Sequence, residues 1–175
     1  MIVILTGGVG TGKTAFVGGL LKILESRSLF VDGFVGERVF ENERLSGYDI
    51  VAVRDGRRLP FLRRTGVAGG TSIGPWRLDP SGLAAAAEII RHSEPGSLLV
   101  VDELGPLELE GGGHWPALAA VLDQPGRRFL FVIREGCLDG FAPLWAGRSV
   151  KIHPLGAVMD GATIIEELAS NGRHG

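Results

Sequence analysis

Eight residues near the start of the chain, Gly7-Gly8-Val9-Gly10-Thr11-Gly12-Lys13-Thr14, satisfy G-x-x-x-x-G-K-[ST] at every fixed position. Glycines let backbone N–H groups curl round a phosphate with no Cβ in the way. A helix start behind them adds unpaired N–H groups and partial positive charge. The lysine of this motif reaches the β- and γ-phosphates, and the Thr14 hydroxyl is placed to ligate Mg²⁺. The flanks agree with the motif: Met1-Ile2-Val3-Ile4-Leu5-Thr6 reads as a buried strand, and Ala15 to Ser26 reads as a helix. A Gly-rich turn matching by chance would not bring that strand–turn–helix context with it. The chemistry expected here is the binding of a magnesium–nucleoside triphosphate.

A second candidate group follows at Leu98-Leu99-Val100-Val101-Asp102-Glu103, an apolar strand ending in adjacent carboxylates. Asp102 would hold Mg²⁺ through a water, opposite Thr14. Glu103 would project from the strand end toward the γ-phosphate and deprotonate a water for in-line attack. A nucleoside kinase must keep that water out and has no use for this base. The plain alternative for Glu103 is a solvated acid at a strand end.

Arg134 follows another apolar strand and reads either as a group that neutralises charge on the γ-phosphate or as a surface ion-pair residue. Arg38 and Arg77 are weaker candidates on the same logic. Arg54, Arg57, Arg58, Arg63 and Arg64 make one stretch basic. A hairpin edge protected against strand pairing explains them; contact with a triphosphate or an RNA-like partner is the sharper reading. His92, His114, His153 and His174 lack metal-ligand spacing. Trp76 and Trp115 could stack on a base, although loop-anchoring core aromatics are commoner. Cys137 has no triad-like partner and reads as inert.

The elements that must position these groups follow from periodicity. Phe16, Val17, Leu20, Leu21 and Leu24 give the first helix an apolar stripe. A second strand begins at Leu29-Phe30-Val31 and continues through Phe34-Val35. Residues 36–64 carry no helical period and suggest antiparallel strands, with a turn at Glu41-Asn42-Glu43 and a hairpin signal at Asp55-Gly56. Residues 65–78 read as Gly-rich and irregular. Asp79-Pro80 starts a helix, with Asp as N-cap and Pro at the first helical position. A helix over His114–Asp123 follows a Gly111-Gly112-Gly113 hinge. Strands over 128–133 and 149–152 come next, and a last helix runs from Asp160 to Ser170 with Asn171-Gly172 as its stop. Strands alternating with helices predict an α/β fold: an open, mainly parallel sheet covered on both faces, carrying a small antiparallel β-excursion at about residues 36–64. Ligands in such sheets sit at the carboxyl ends of the strands.

The chain has 175 residues and a formal net charge of −2. That predicts a single domain over 1–175, with no bulk electrostatic case for nucleic acid. No stretch of about 20 apolar residues is present to span a membrane, and the first strand has no basic region before it. The lone cysteine excludes an internal disulfide and suits a reducing compartment. The expected location is the cytoplasm. No guanine-reading N-K-x-D motif fixes the base, and no protein partner is encoded.

Four runs together carry a resemblance: the N-terminal phosphate loop, Gly33-Phe34-Val35-Gly36-Glu37, Gly47-Tyr48-Asp49-Ile50-Val51, and Val101-Asp102-Glu103-Leu104-Gly105-Pro106-Leu107-Glu108-Leu109. In this order they resemble the small nucleoside-triphosphatase family typified by the thermophilic and the cancer-related nucleoside-triphosphatases. The D-E-x-G-P-x-E run is the most specific part. The resemblance implies a three-layer P-loop fold in which the 128–133 strand lies between the two motif strands. It implies two nucleotide-binding segments: Gly7, Gly8, Val9, Gly10, Thr11, Gly12, Lys13, Thr14 and Ala15; and Leu98, Leu99, Val100, Val101, Asp102, Glu103, Leu104 and Gly105. It further implies Asp102 and Thr14 as the magnesium residues, Glu103 as catalytic base, and hydrolysis of ATP, GTP and other triphosphates to the diphosphate. Where the family reads E-V-R, this chain has Glu37-Arg38-Val39, which turns the arginine to the other face of its strand. Two alternatives stand beside hydrolysis: a nucleoside or small-metabolite kinase, and a slow nucleotide-dependent switch or accessory factor.

Overall fold

The computed structural model describes residues 1–156 and 161–170. Asp160, Asn171, Gly172 and His174 lie outside the described residues. In chain order the elements are β1 (Ile2–Gly7), α1 (Lys13–Ser26), β2 (Val31–Glu41), β3 (Arg44–Ala52), β4 (Arg58–Arg63), β5 (Ser72–Ile73), β6 (Trp76–Leu78), α2 (Pro80–Arg91), β7 (Leu98–Leu104), α3 (Pro106–Leu109), α4 (Trp115–Leu122), β8 (Arg128–Arg134), α5 (Leu138–Phe141), β9 (Val150–Pro154) and α6 (Gly161–Ser170).

Among the described residues nine strands form one sheet, ordered β5-β6-β4-β3-β2-β7-β8-β1-β9. The half from β2 to β9 is parallel. The half from β2 out to β5 is antiparallel. The sheet is therefore mixed, and the expectation of a mainly parallel sheet with a separate excursion is corrected. The reason lies in β2. Its first residues, Val31 to Phe34, pair with β7; from Phe34 to Glu41 the same strand pairs with β3. Beyond Phe34, β2 runs on past β7, and its other edge carries β3, with β4 next to β3 in turn. The stretch expected to be irregular also contains a short hairpin, β5–β6, turning at Gly74-Pro75, and β6 then pairs with β4.

The central strands are apolar on both faces because helices cover both. Ile2, Ile4, Leu99, Val101, Phe129 and Phe131 face α2 and α4 together with Phe141 and Trp145. Val3, Leu5, Val100, Leu130 and Val132 face Val17, Leu20 and Leu24 of α1 and Ile164, Ile165 and Leu168 of α6. Asp79 caps α2 as its type predicts, accepting from the Ser81 and Gly82 N–H groups. Trp115 packs on Phe141 and Trp145, so it is a core aromatic. No helix among the described residues is long and apolar enough to cross a membrane.

Gly33 fixes the closest approach of β2 to β7. Its φ is +106°, and a Cβ there would lie 1.9 Å from the Val100 carbonyl oxygen. Gly33→Ala combines a strained φ with a backbone clash, and a loss of about 2–4 kcal/mol is expected. Thermal melting checks this; a midpoint within a degree of the parent would show that β2 shifts freely here.

Candidate active site

Three adjacent strands, β7, β8 and β1, end at one edge of the sheet, and the motif residues meet there. Gly7 of β1 is level with Arg134 of β8, and Asp102 of β7 is level with Val132. As the resemblance implied, β8 lies between the two motif strands.

The phosphate loop turns at Gly10 and Gly12, with φ of 81° and 87°. The Thr11 hydroxyl donates to the Gly8 carbonyl at 2.9 Å and ties the loop across itself. Helix α1 then starts at Lys13 with no side-chain cap and no acid in its first turn. Its leading N–H groups are thus left for an anion to satisfy. Lys13 is buried. Its Nζ donates to the Gly7 and Gly8 carbonyls, both at 2.9 Å, and lies 3.8 Å from Glu103 Oε2.

Strand β7 carries both acids, and an irregularity separates them. Its pairing to β8 slips between Asp102 and Leu104. Val101 and Leu104, three positions apart, face the same core layer. Strict alternation would put them on opposite faces, so Glu103 is the extra residue of a bulge, a device that re-aims a side chain at a strand end. Asp102 stays buried, while Glu103 emerges between two cations, Lys13 and Arg134. Arg134 Nε donates to Glu103 Oε1 at 3.0 Å. Arg134 thus forms an ion pair whose partner is Glu103.

Burial pushes the Asp102 carboxyl up to about 6. The Thr14 hydroxyl, the Gly36 backbone and the Lys13 charge oppose that rise, and the Glu103 charge adds to it. Asp102 Oδ2 is buried without a hydrogen-bond partner. A carboxylate oxygen of this kind, with a hydroxyl against the same group, suits a hard divalent cation. Among the described residues no three His, Cys, Asp or Glu side chains gather into a metal-holding group. Magnesium fits that setting, because it is commonly held by one or two carboxylates together with substrate phosphates.

The remaining candidates lie elsewhere. Arg38 stands across from Tyr48, and Arg77 across from Arg63, on the antiparallel half. Glu37, not Arg38, pairs with Arg58 beside Asp49. The basic stretch is largely spent on ion pairs: Arg54 with Asp32, Arg57 with Asp55, Arg58 with Glu37, Arg63 with Asp49. Trp76 packs on Tyr48 under the Arg64 guanidinium. His92 pairs with Glu88, and His153 with Glu167. Cys137 is buried, and burial pushes its thiol up, as suits an inert cysteine.

Sequence reasoning missed one pair behind the second motif. Glu108 and His114 are both buried, with Glu108 Oε1 3.5 Å from His114 Nδ1. Glu108 Oε2 accepts from the Gly105 N–H at 3.0 Å. Pro at the start of a helix with Glu at its third position is a readable capping signal for Glu108. His114 has no comparable signal.

Comparison with known proteins gives one consistent picture. A family model described as NTPase matches residues 2–152. The chain is 31% identical over 149 residues to the nucleoside-triphosphatase THEP1 of Pyrobaculum islandicum, covering 82% of this chain and 83% of that protein. It is 31% identical over 142 residues to the cancer-related nucleoside-triphosphatase of Homo sapiens, covering 75% and 74%. In fold it resembles the solution structure of a human cancer-related nucleoside triphosphatase, with TM-score 0.74 and 22% identity over 98% of this chain and 96% of that one. The crystal structure of THEP1 from Aquifex aeolicus gives TM-score 0.73 and 18% identity over 99% and 100%.

Proposed function

The chain belongs to the NTPase family whose model spans residues 2–152, and on that premise we propose that it hydrolyses nucleoside 5'-triphosphates to the diphosphate and phosphate with Mg²⁺. The observation that carries this reading is the setting of Glu103. Its carboxylate is lifted out of β7 by the bulge and stands 3.8 Å from the phosphate-loop lysine, with Arg134 behind it. A base belongs at that point if water is the acceptor.

In this mechanism the loop N–H groups and the start of α1 bind the β- and γ-phosphates, and Lys13 lies along them. Thr14 and Asp102 would hold Mg²⁺, which supplies charge neutralisation at the phosphates. Glu103 orients a water in line with the γ-phosphorus and takes its proton as the new P–O bond forms. The bond to the β-bridging oxygen breaks, and the diphosphate leaves. Arg134 holds the Glu103 carboxylate in place through its Nε. No element encodes a choice of base, so ATP, GTP and other triphosphates are all expected to serve.

Phosphate release measured with ATP, GTP, CTP and UTP tests this. Equal amounts of phosphate and diphosphate are expected with no acceptor added, and none with excess EDTA. Turnover that required a nucleoside or small-metabolite acceptor would establish a kinase instead.

A further inference from the structure

The backbone that carries Glu103 is gripped from behind by two polar side chains that the proposed mechanism does not use. Glu108 and His114 are 5% and 1% exposed. Glu108 reaches back from α3 to take the Gly105 N–H. The His114 ring lies beside the Glu103 main-chain carbonyl on one side and Glu108 on the other. Phe34 meets the ring edge-on at 5.2 Å between centroids, and Phe61 lies at 6.2 Å. The ring therefore sits in an apolar cage beside Glu108, and neither of its nitrogens has a hydrogen-bond partner among the described residues. Burial pushes its pKa down, with Glu108 pulling the other way.

The segment expected to be a hinge is instead part of this grip. Gly113 has φ +58°, and a Cβ there would lie 1.9 Å from Glu108 Oε1. A Cβ on Gly112 would lie 2.9 Å from Leu107 Cδ1. The glycines let the chain crowd against α3 and deliver His114 to the back of β7. A buried acid and a buried histidine are expensive to keep, because a fully apolar core of the same shape is commonly as stable. Glu108 bonds residue 105, just past the bulge, and His114 packs behind it beside residue 103.

We propose that Glu108 and His114 are positioning residues for the reaction: together they fix the backbone from Glu103 to Gly105 and so hold the Glu103 carboxylate at the distance and angle that attack requires. The inference rests on Glu103 acting as the base. Misplacing a reacting group by about 1 Å costs on the order of 100-fold in rate, so the effect falls on turnover and not on nucleotide binding, which belongs to the phosphate loop.

The test uses His114→Leu, the milder His114→Asn, Glu108→Ala and Glu108→Gln, each assayed below its own melting temperature and in single turnover. His114→Leu and Glu108→Ala are expected to lower kcat by about 10- to 100-fold with KM changed less than about threefold. Glu108→Gln, whose amide oxygen still accepts from Gly105, is expected to recover most of that loss. In a Glu103→Gln background, His114→Leu is expected to cost nothing further, because there is no base left to position. Unchanged kcat in folded His114 and Glu108 variants would overturn the proposal. So would the same loss in both backgrounds. Full hydrolysis by Glu103→Gln alone would instead remove the base assignment, a separate result.

Discussion

Glu103→Gln is expected to bind nucleoside triphosphate about as tightly as the parent and to hydrolyse it about 10²- to 10⁴-fold more slowly. The substitution keeps size and shape and removes only the basic carboxylate. Its amide oxygen can still accept from Arg134 Nε, the contact now made at 3.0 Å. The phosphate loop is tied by its own bonds, Thr11 to Gly8 and Lys13 to Gly7 and Gly8, and none of these involves Glu103. Binding and chemistry should therefore separate cleanly. Equilibrium titration with a fluorescent triphosphate gives the first, and phosphate release gives the second. If the plain reading held and Glu103 were a solvated strand-end acid, the variant would turn over at the parent rate. Loss of binding together with turnover would point to a third role, in which the Glu103 charge mainly restrains Lys13. Arg134→Ala is informative beside it: a positioning partner gives a smaller loss than the base it positions.

How far such a site can be read from sequence depends on how local its parts are. The phosphate loop and the Asp102-Glu103 strand end are continuous segments whose chemistry is written in consecutive residues, and both fall where their flanking patterns place them. The pairing of Arg134 with Glu103 joins two strand ends 31 positions apart; only the order of β7, β8 and β1 brings them together. The packing of His114 behind β7 needs a path through Gly112 and Gly113, which read as looseness in one dimension and are crowded in three. The antiparallel half was visible as a turn at Glu41-Asn42-Glu43 and a hairpin signal at Asp55-Gly56. Its continuity with the parallel half was not, because nothing in the residues around Phe34 marks β2 as carrying β7 on one edge and β3 on the other. The β5–β6 hairpin was hidden by its two short strands, too brief for any period to show.

Asp102→Asn should abolish most activity while making the protein alone more stable at neutral pH, and the two effects have one cause. The Asp102 carboxyl rises from an ordinary value of 3.8 to about 6 because burial penalises its charge more than Thr14, Gly36 and Lys13 favour it. Below about pH 4 the group is protonated in folded and unfolded chains alike and contributes nothing. Between about 4 and 6 the folded state holds a proton that the unfolded chain has released, so stability falls as pH rises. Above about 6 the full penalty is present, on the order of 2–3 kcal/mol at 1.36 kcal/mol per pK unit. Asparagine carries no charge to desolvate, so Asp102→Asn should melt several degrees higher than the parent at pH 7, with the gap closing by pH 4. Addition of Mg²⁺ and a triphosphate should reverse the order, since ligand that binds only the folded state raises its stability and the variant lacks the carboxylate for the cation. Its kcat should fall by about 10²-fold or more, the scale of losing several kcal/mol of charge neutralisation. A variant that melts lower than the parent at pH 7 without ligand would mean that Thr14 and Gly36 already satisfy the carboxylate. Asp102 would then be a structural acid, and the cation would have to be held elsewhere.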